Sequence, residues 1–283
     1  MWLAWDTAAY LAAALVVVSV AVRLFRRRSL VVVADVAKEV AVILGLYAIW
    51  QRAGDLAVTK IAGAATRGRW IWHAERTLHL PSEVSVQQLV LPHPLLVEAL
   101  NVFYAVVHVP ALIIFLIWLY SRHRRDYPHW RNVGAVLTGA SLLIQAIPVA
   151  PPRLLPQYGF VDTAAKYGQS VYGPQGIRIA PQLAAMPSVH VAWALLIAVA
   201  VIRTSTSKWR WLIVLHPAAT TFAVVATANH WWLDGIVAAA LLPLAFLICQ
   251  AAHLLVARYR VRAVIASSRG GTGELVPAPV GDG

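Results

Sequence analysis

Apolar stretches long enough to cross a bilayer recur along the whole chain, separated by short polar segments. A helix needs about 20 apolar residues to span hydrocarbon, and such windows fall at 7–24, 33–51, 96–120, 132–149, 187–203, 211–229 and 232–256. Seven membrane helices are therefore predicted. Four basic clusters lie between them on one side: Arg23, Arg26, Arg27 and Arg28; Arg122, Arg124, Arg125 and Arg131; Arg203, Lys208 and Arg210; Arg258, Arg260 and Arg262. The positive-inside rule then puts the N-terminus outside and the C-terminus in the cytoplasm. The first window has Asp6 before it and its arginines after it, the reverse of a signal peptide, and reads as a membrane helix. The second carries Asp35, Lys38 and Glu39 at its cytoplasmic start, where charges sit at the interface or pair across helical spacing.

Two segments are too polar to cross. Residues 54–94 alternate Trp70, Ile71 and Trp72 with charges, then show Pro81-Ser82-Glu83, the pattern of a new helix start. An amphipathic segment on the outer face is expected here. Residues 150–186 form a Pro-, Gly- and Tyr-rich loop, longer than a plain connection needs and extracytoplasmic by the same topology. The Gly/Pro-rich end reads as disordered. Three units are thus expected: residues 1–30, an N-terminal transmembrane helix with its basic cytoplasmic loop; 31–262, a membrane domain; and 263–283, a disordered tail.

Composition sharpens this picture. The chain is 60% hydrophobic and 13% charged, with a mean hydropathy of +0.67, values of a polytopic membrane protein. The net charge of +12 sits in the loop clusters rather than along one face, which argues against a nucleic-acid partner and for the lipid bilayer. One cysteine, Cys249, excludes an internal disulfide and a cysteine-based metal site.

The candidate chemistry lies at the outer ends of the spans. "PVAPPR" ends at Arg153 after the fourth span, "PSVH" places Ser188 and His190 at the start of the fifth, and "NHWWLD" places His230 and Asp234 at the start of the seventh. On a helix His230 and Asp234, four apart, share a face. A carboxylate there fixes the imidazole tautomer and leaves Nε2 as an outward lone pair, which makes a histidine a nucleophile. His190 can then protonate a leaving oxygen. Arg153 offers a planar cation for phosphate oxygens and Ser188 a hydroxyl donor. Tyr104 and His108, in "NVFYAVVH", share a face of the third span with Asn101 and either bond between helices or line a polar cavity as substrate contacts. The tryptophans read mostly as interfacial anchors.

These motifs resemble the type 2 phosphatidic acid phosphatase superfamily, the lipid phosphate phosphatases, and most closely its branch related to inositol phosphorylceramide synthase. "PSVH" at 187–190 and "HWWLD" at 230–234 match the family's "PSxH" and "HxxxD", and the resemblance covers roughly 95–255. It implies an all-α polytopic fold, a six-helix core plus one extra N-terminal transmembrane helix. It further implies His230 as nucleophile, Asp234 as its orienting carboxylate, His190 as general acid, and neither metal nor cofactor. Two of the family's phosphate-binding cations have no counterpart: Ala146 stands at the lysine position, and Ala223 and Val224 replace a Ser-Arg pair. The shortened "PPR" is similar to the synthase-related branch, and Lys166 or Arg178 in the long loop is a candidate replacement. The expected activity is phosphoryl transfer from a membrane lipid phosphate ester through a phosphohistidine, at the outer face of a multi-pass cell-membrane protein. Water as acceptor makes a phosphatase; a lipid or inositol hydroxyl makes a phosphotransferase, such as one moving phosphoinositol to a lipid. A scaffold or transporter that merely keeps the fold is the alternative.

Overall fold

A computed structural model describes residues 3–25, 30–57, 62–170 and 182–270. Eleven α-helices make up the described residues: α1 (Trp5–Leu24), α2 (Val31–Ala57), α3 (Ala64–Thr77), α4 (Glu83–Val90), α5 (Pro94–Val106), α6 (His108–Arg122), α7 (Tyr127–Gln145), α8 (Thr163–Lys166), α9 (Val189–Thr204), α10 (Leu215–Ala226) and α11 (Trp232–Gly270). Short 3₁₀ turns stand at Pro152–Leu154, Pro156–Tyr158 and, leading into α10, Lys208–Val214. The chain is an all-α, multi-pass membrane protein.

Each apolar window becomes a helix, but not all in one form. By length and composition α1, the 3₁₀-plus-α10 run Lys208–Ala226 and Trp232–Tyr259 of α11 can each cross a membrane. The window at 96–120 is two helices, α5 and α6, bent by 49°. Pro110 explains the break: it has no N–H for the carbonyl four residues back and its ring crowds that carbonyl. Apolar α9 has only 16 residues.

The packing centres on α9. Its Ala192, Ala194, Ala198 and Ala200 are buried and let α6, α7, α10 and α11 approach closely. Lipid tails are as apolar as leucine, so such contacts and interhelical hydrogen bonds hold the bundle rather than water exclusion. One such bond joins Trp193 Nε1 to Thr138 Oγ1 at 2.9 Å, worth on the order of 1 kcal/mol. The α1–α2 hairpin attaches to α7, where Glu39 accepts from Arg131 and pairs with Lys38 at 3.1 Å. Asp35 bridges Arg23 (2.6 Å) and Arg124 (3.2 Å). The acids of the second window are thus paired, but with arginines of neighbouring elements and with the adjacent Lys38 rather than across helical spacing within α2.

The polar segment after α2 forms α3 and α4, with Ser82 at the N-cap of α4. Gly68 of α3 is required by a close approach: a Cβ there would stand 2.8 Å from the Ala150 carbonyl oxygen. Ala150 N–H donates to Ala64 at 3.1 Å, so α3 is fastened to the loop that carries Arg153. At the other end α11 continues to Gly270. Residues 263–270, counted with the tail in the sequence reading, are helical and continue α11; 271–283 lie outside the described residues.

Candidate active site

His230 stands not on a helix but in the turn ahead of α11, whose first helical residue is Trp232. The expected helical pair is therefore corrected: Asp234 reaches back from the first turn of α11 to a histidine outside it. Asp234 Oδ2 accepts from the Trp231 N–H at 2.9 Å and lies 3.2 Å from His230 Nδ1, so one carboxylate caps the helix and holds the ring. His230 Nδ1 is also 2.8 Å from the Ala185 carbonyl oxygen. A carbonyl only accepts, so Nδ1 carries the hydrogen and Nε2 is the lone pair. That Nε2 is buried and has no hydrogen-bond partner. The turn itself is tight: Ala228 has φ +55°, a left-handed conformation that costs a non-glycine residue about 1–2 kcal/mol. Its carbonyl accepts from the Arg153 N–H at 2.9 Å, which ties the "PPR" loop to the His230 turn.

Ser188 is the N-cap of α9, its oxygen accepting from Val191 N–H at 3.4 Å, and its own N–H donates to the Asp234 carbonyl at 3.2 Å. Its hydroxyl hydrogen remains available for a second partner. Two positions on, His190 brings its ring centroid to 5.5 Å from that of His230. Arg153 is buried at 6% exposure. Its Nε donates to Asn229 Oδ1 at 3.0 Å, and one terminal nitrogen to Asp162 at 2.8 Å and Gln182 at 3.3 Å. The guanidinium thus enters any phosphate site already neutralised by a carboxylate. Tyr104 and His108, flanking the α5–α6 bend, pack their rings 4.6 Å and 4.5 Å from His190. The rings of Tyr104, His108, His190 and His230 thus meet, Asp234 and Ser188 stand beside them, and Arg153 is joined to the same turn through Asn229 and Ala228. Lys166 instead lies over the Tyr167 ring, and Arg178 falls outside the described residues.

Sequence reasoning missed the shell behind this point. The first amides of a helix lack acceptors within it, and here two buried carboxylates from the polar segment supply them: Glu75 Oε1 takes Leu233 N–H at 2.8 Å and Glu83 Oε1 takes Trp232 N–H at 3.4 Å. Acids are also favoured there by the helix dipole. Arg76 donates to Glu83 at 3.2 Å and lies over Trp72. Burial, and after it the hydrogen bond with Glu83, pushes the Glu75 carboxyl up to about 9, so this acid stays protonated at neutral pH. Trp231 is no interfacial anchor: at 1% exposure it donates from Nε1 to the Ala150 carbonyl at 3.0 Å. Asn229 stood unread beside His230 in "NHWWLD", whereas nothing local marked Glu75 or Glu83, about 150 residues from the amides they cap.

The family model described as the PAP2 superfamily matches residues 69–248, more than half of the chain. The matched region takes in every residue of the site; α1 and α2 precede it. No curated protein and no solved structure matches the chain.

Proposed function

Because the chain belongs to the PAP2 superfamily, we propose that it transfers a phosphoryl or phosphodiester group from a membrane lipid, with His230 as nucleophile. The observation that carries this reading is the His230 ring. Its Nδ1 is tied to Ala185 and Asp234 while its Nε2 is buried without a partner, an arrangement that costs free energy unless an incoming group completes it. An electrophilic phosphorus does so.

In the first half-reaction Nε2 attacks phosphorus and the ester P–O bond breaks. The electron pair leaves on the ester oxygen, which takes a proton from His190. Asp234 offsets the positive charge that grows on the His230 ring. Arg153 and Ser188 hold the non-bridging oxygens, and positioning with electrostatic stabilisation is most of what phosphoryl transfer asks of a protein. Tyr104 and His108 pack against the His190 ring. In the second half-reaction an acceptor hydroxyl attacks the phosphorus and gives its proton to His190, while the N–P bond breaks and its electron pair returns to His230 Nε2. Water gives a lipid phosphatase, and an alcohol gives a phosphotransferase. The shortened "PPR" motif, with Arg153 held by Asp162, favours the second, a reaction resembling that of inositol phosphorylceramide synthase. The site faces the extracytoplasmic side, and neither metal nor cofactor is called for by the chemistry of these residues.

The test is a panel of lipid phosphates and phosphatidylinositol offered to the purified chain in detergent with chelator present, following free phosphate and new phospholipid together. The expected result is one of these products from the parent and none above background from His230→Ala. Equal yields from the two proteins would leave a scaffold or transporter as the better account.

A further inference from the structure

Two imidazole nitrogens near the site, besides His230 Nε2, are buried and without hydrogen-bond partners: Nε2 of His108 and Nδ1 of His190. They belong to neighbouring rings, with centroids 4.5 Å apart and planes at 76°. The tautomer of His108 follows from its other nitrogen, since Nδ1 lies 3.1 Å from the Tyr104 carbonyl oxygen and must carry the hydrogen to bond it. Nε2 of His108 is thus a lone pair, in a residue only 4% exposed. The α5–α6 break explains why that carbonyl is within reach of a side chain: the ring takes the place where helical pairing is interrupted.

His190 has the complementary need. A histidine that gives up a proton acts from its doubly protonated form, and both N–H groups then want acceptors. Its Nδ1 is buried, so water does not serve it. The titratable side chains packed around the two rings are Tyr104, His216 of α10, at 6.5 Å from His108, and His230. Beside them His108 brings its ring to 4.5 Å from that of His190, with a buried Nε2 lone pair that the reaction does not otherwise use.

We propose that His108 is the positioning residue of His190: the two nitrogens are unbonded in the structure, and when His190 is doubly protonated its Nδ1–H turns onto the neighbouring His108 Nε2, which keeps Nε2 of His190 turned to the ester oxygen. The inference rests on the phosphoryl-transfer reading above. The relay runs from the Tyr104 carbonyl through His108 to His190, as the Asp234 carboxylate orients His230. The difference in partner suits the two tasks. A nucleophile gains positive charge and is served by a carboxylate, whereas an acid must release its proton and is served by a neutral ring that orients it without adding charge. When the ester P–O bond breaks, the proton on Nε2 goes to the departing oxygen. Nδ1–H stays on the His108 side, so the freed Nε2 is the atom that accepts the proton of the incoming hydroxyl as the N–P bond breaks.

An acid matters only when the leaving group needs a proton, and this separates a partner of His190 from a residue that merely supports the fold. The full chain in mixed micelles would be given dioleoylphosphatidic acid, which leaves as an alkoxide, and p-nitrophenyl phosphate, whose leaving group departs unprotonated. The quantity read is the ratio of kcat on the first to kcat on the second, in which the amount of folded protein cancels. General acids contribute about 10²–10⁴-fold. The ratio is expected to fall at least about tenfold in His108→Leu and in His190→Ala, and to recover in His108→Gln, whose amide can donate to Tyr104 and accept from His190. A ratio unchanged in His108→Leu, or an equal loss on both esters, would overturn the inference while leaving the nucleophile's role in place. A parent that uses only phosphatidylinositol would be read in the same ratio, against a p-nitrophenyl phosphodiester of inositol; turnover of none of these esters by the parent would count against the phosphoryl-transfer reading itself, and the inference would go with it.

Discussion

Glu75 carries the clearest residue-level consequence. Its carboxyl is held near 9 in the folded chain against an ordinary value of 4.5, so folding takes up a proton that the unfolded chain releases. A raised value means the stabilisation is complete below pH 4.5, declines above it, and is gone once pH passes about 9. Above that point ionised Glu75 faces Glu83 with Arg76 alone to offset them. The unfolding midpoint in detergent is expected to drop between pH 7 and pH 10 in the parent. Glu75→Gln, which keeps a neutral acceptor for Leu233 N–H, is expected to flatten that drop, and equal slopes in the two proteins would refute the assignment.

At the scale of elements, the site depends on how closely α3 lies on the "PPR" loop. Alanine in a helix interior is favoured over glycine by about 1 kcal/mol, so Gly68→Ala would stabilise α3 taken alone. Its Cβ would meet the Ala150 carbonyl oxygen at 2.8 Å and Leu155 at 3.1 Å, and backbone yields less readily than a side chain; overpacking of this kind costs about 1–3 kcal/mol. The clash wins. Gly68→Ala is expected to lower the melting temperature and, by shifting the loop, turnover as well. Gly139→Ala in α7, where nothing lies within 4 Å of the added carbon, is expected to raise the melting temperature slightly. The reverse order would show that the loop gives way freely.

For the whole molecule the question is which side of the membrane the site faces. By the positive-inside rule the basic clusters predict that the loop after α9 is cytoplasmic and the "PPR" loop outside. A Cys249→Ser background removes the one native thiol, which is buried. Gln157→Cys and Ser207→Cys then place exposed thiols on the two opposite loops. In intact cells a membrane-impermeant maleimide is expected to label position 157 directly and position 207 only after permeabilisation. The opposite pattern would move the site to the cytoplasmic face.

Hydrophobic runs by themselves determined that the chain is helical and crosses the membrane, because in lipid every backbone hydrogen bond must close within its own segment. The short motifs likewise marked His190, His230, Asp234, Arg153 and Ser188, since the resemblance is carried by residue types at fixed spacings. Pro110 was legible too, but its consequence, two helices at 49° in place of one span, was not drawn from it. Tertiary structure alone decided the partners. Glu75 and Glu83 cap a helix about 150 residues away, Asp162 neutralises Arg153, and the Ala185 carbonyl sets the tautomer of His230. No local pattern encodes such pairings. A buried polar group is stabilised by whichever complementary atom the fold delivers within about 3 Å, and the path of the whole chain selects that atom.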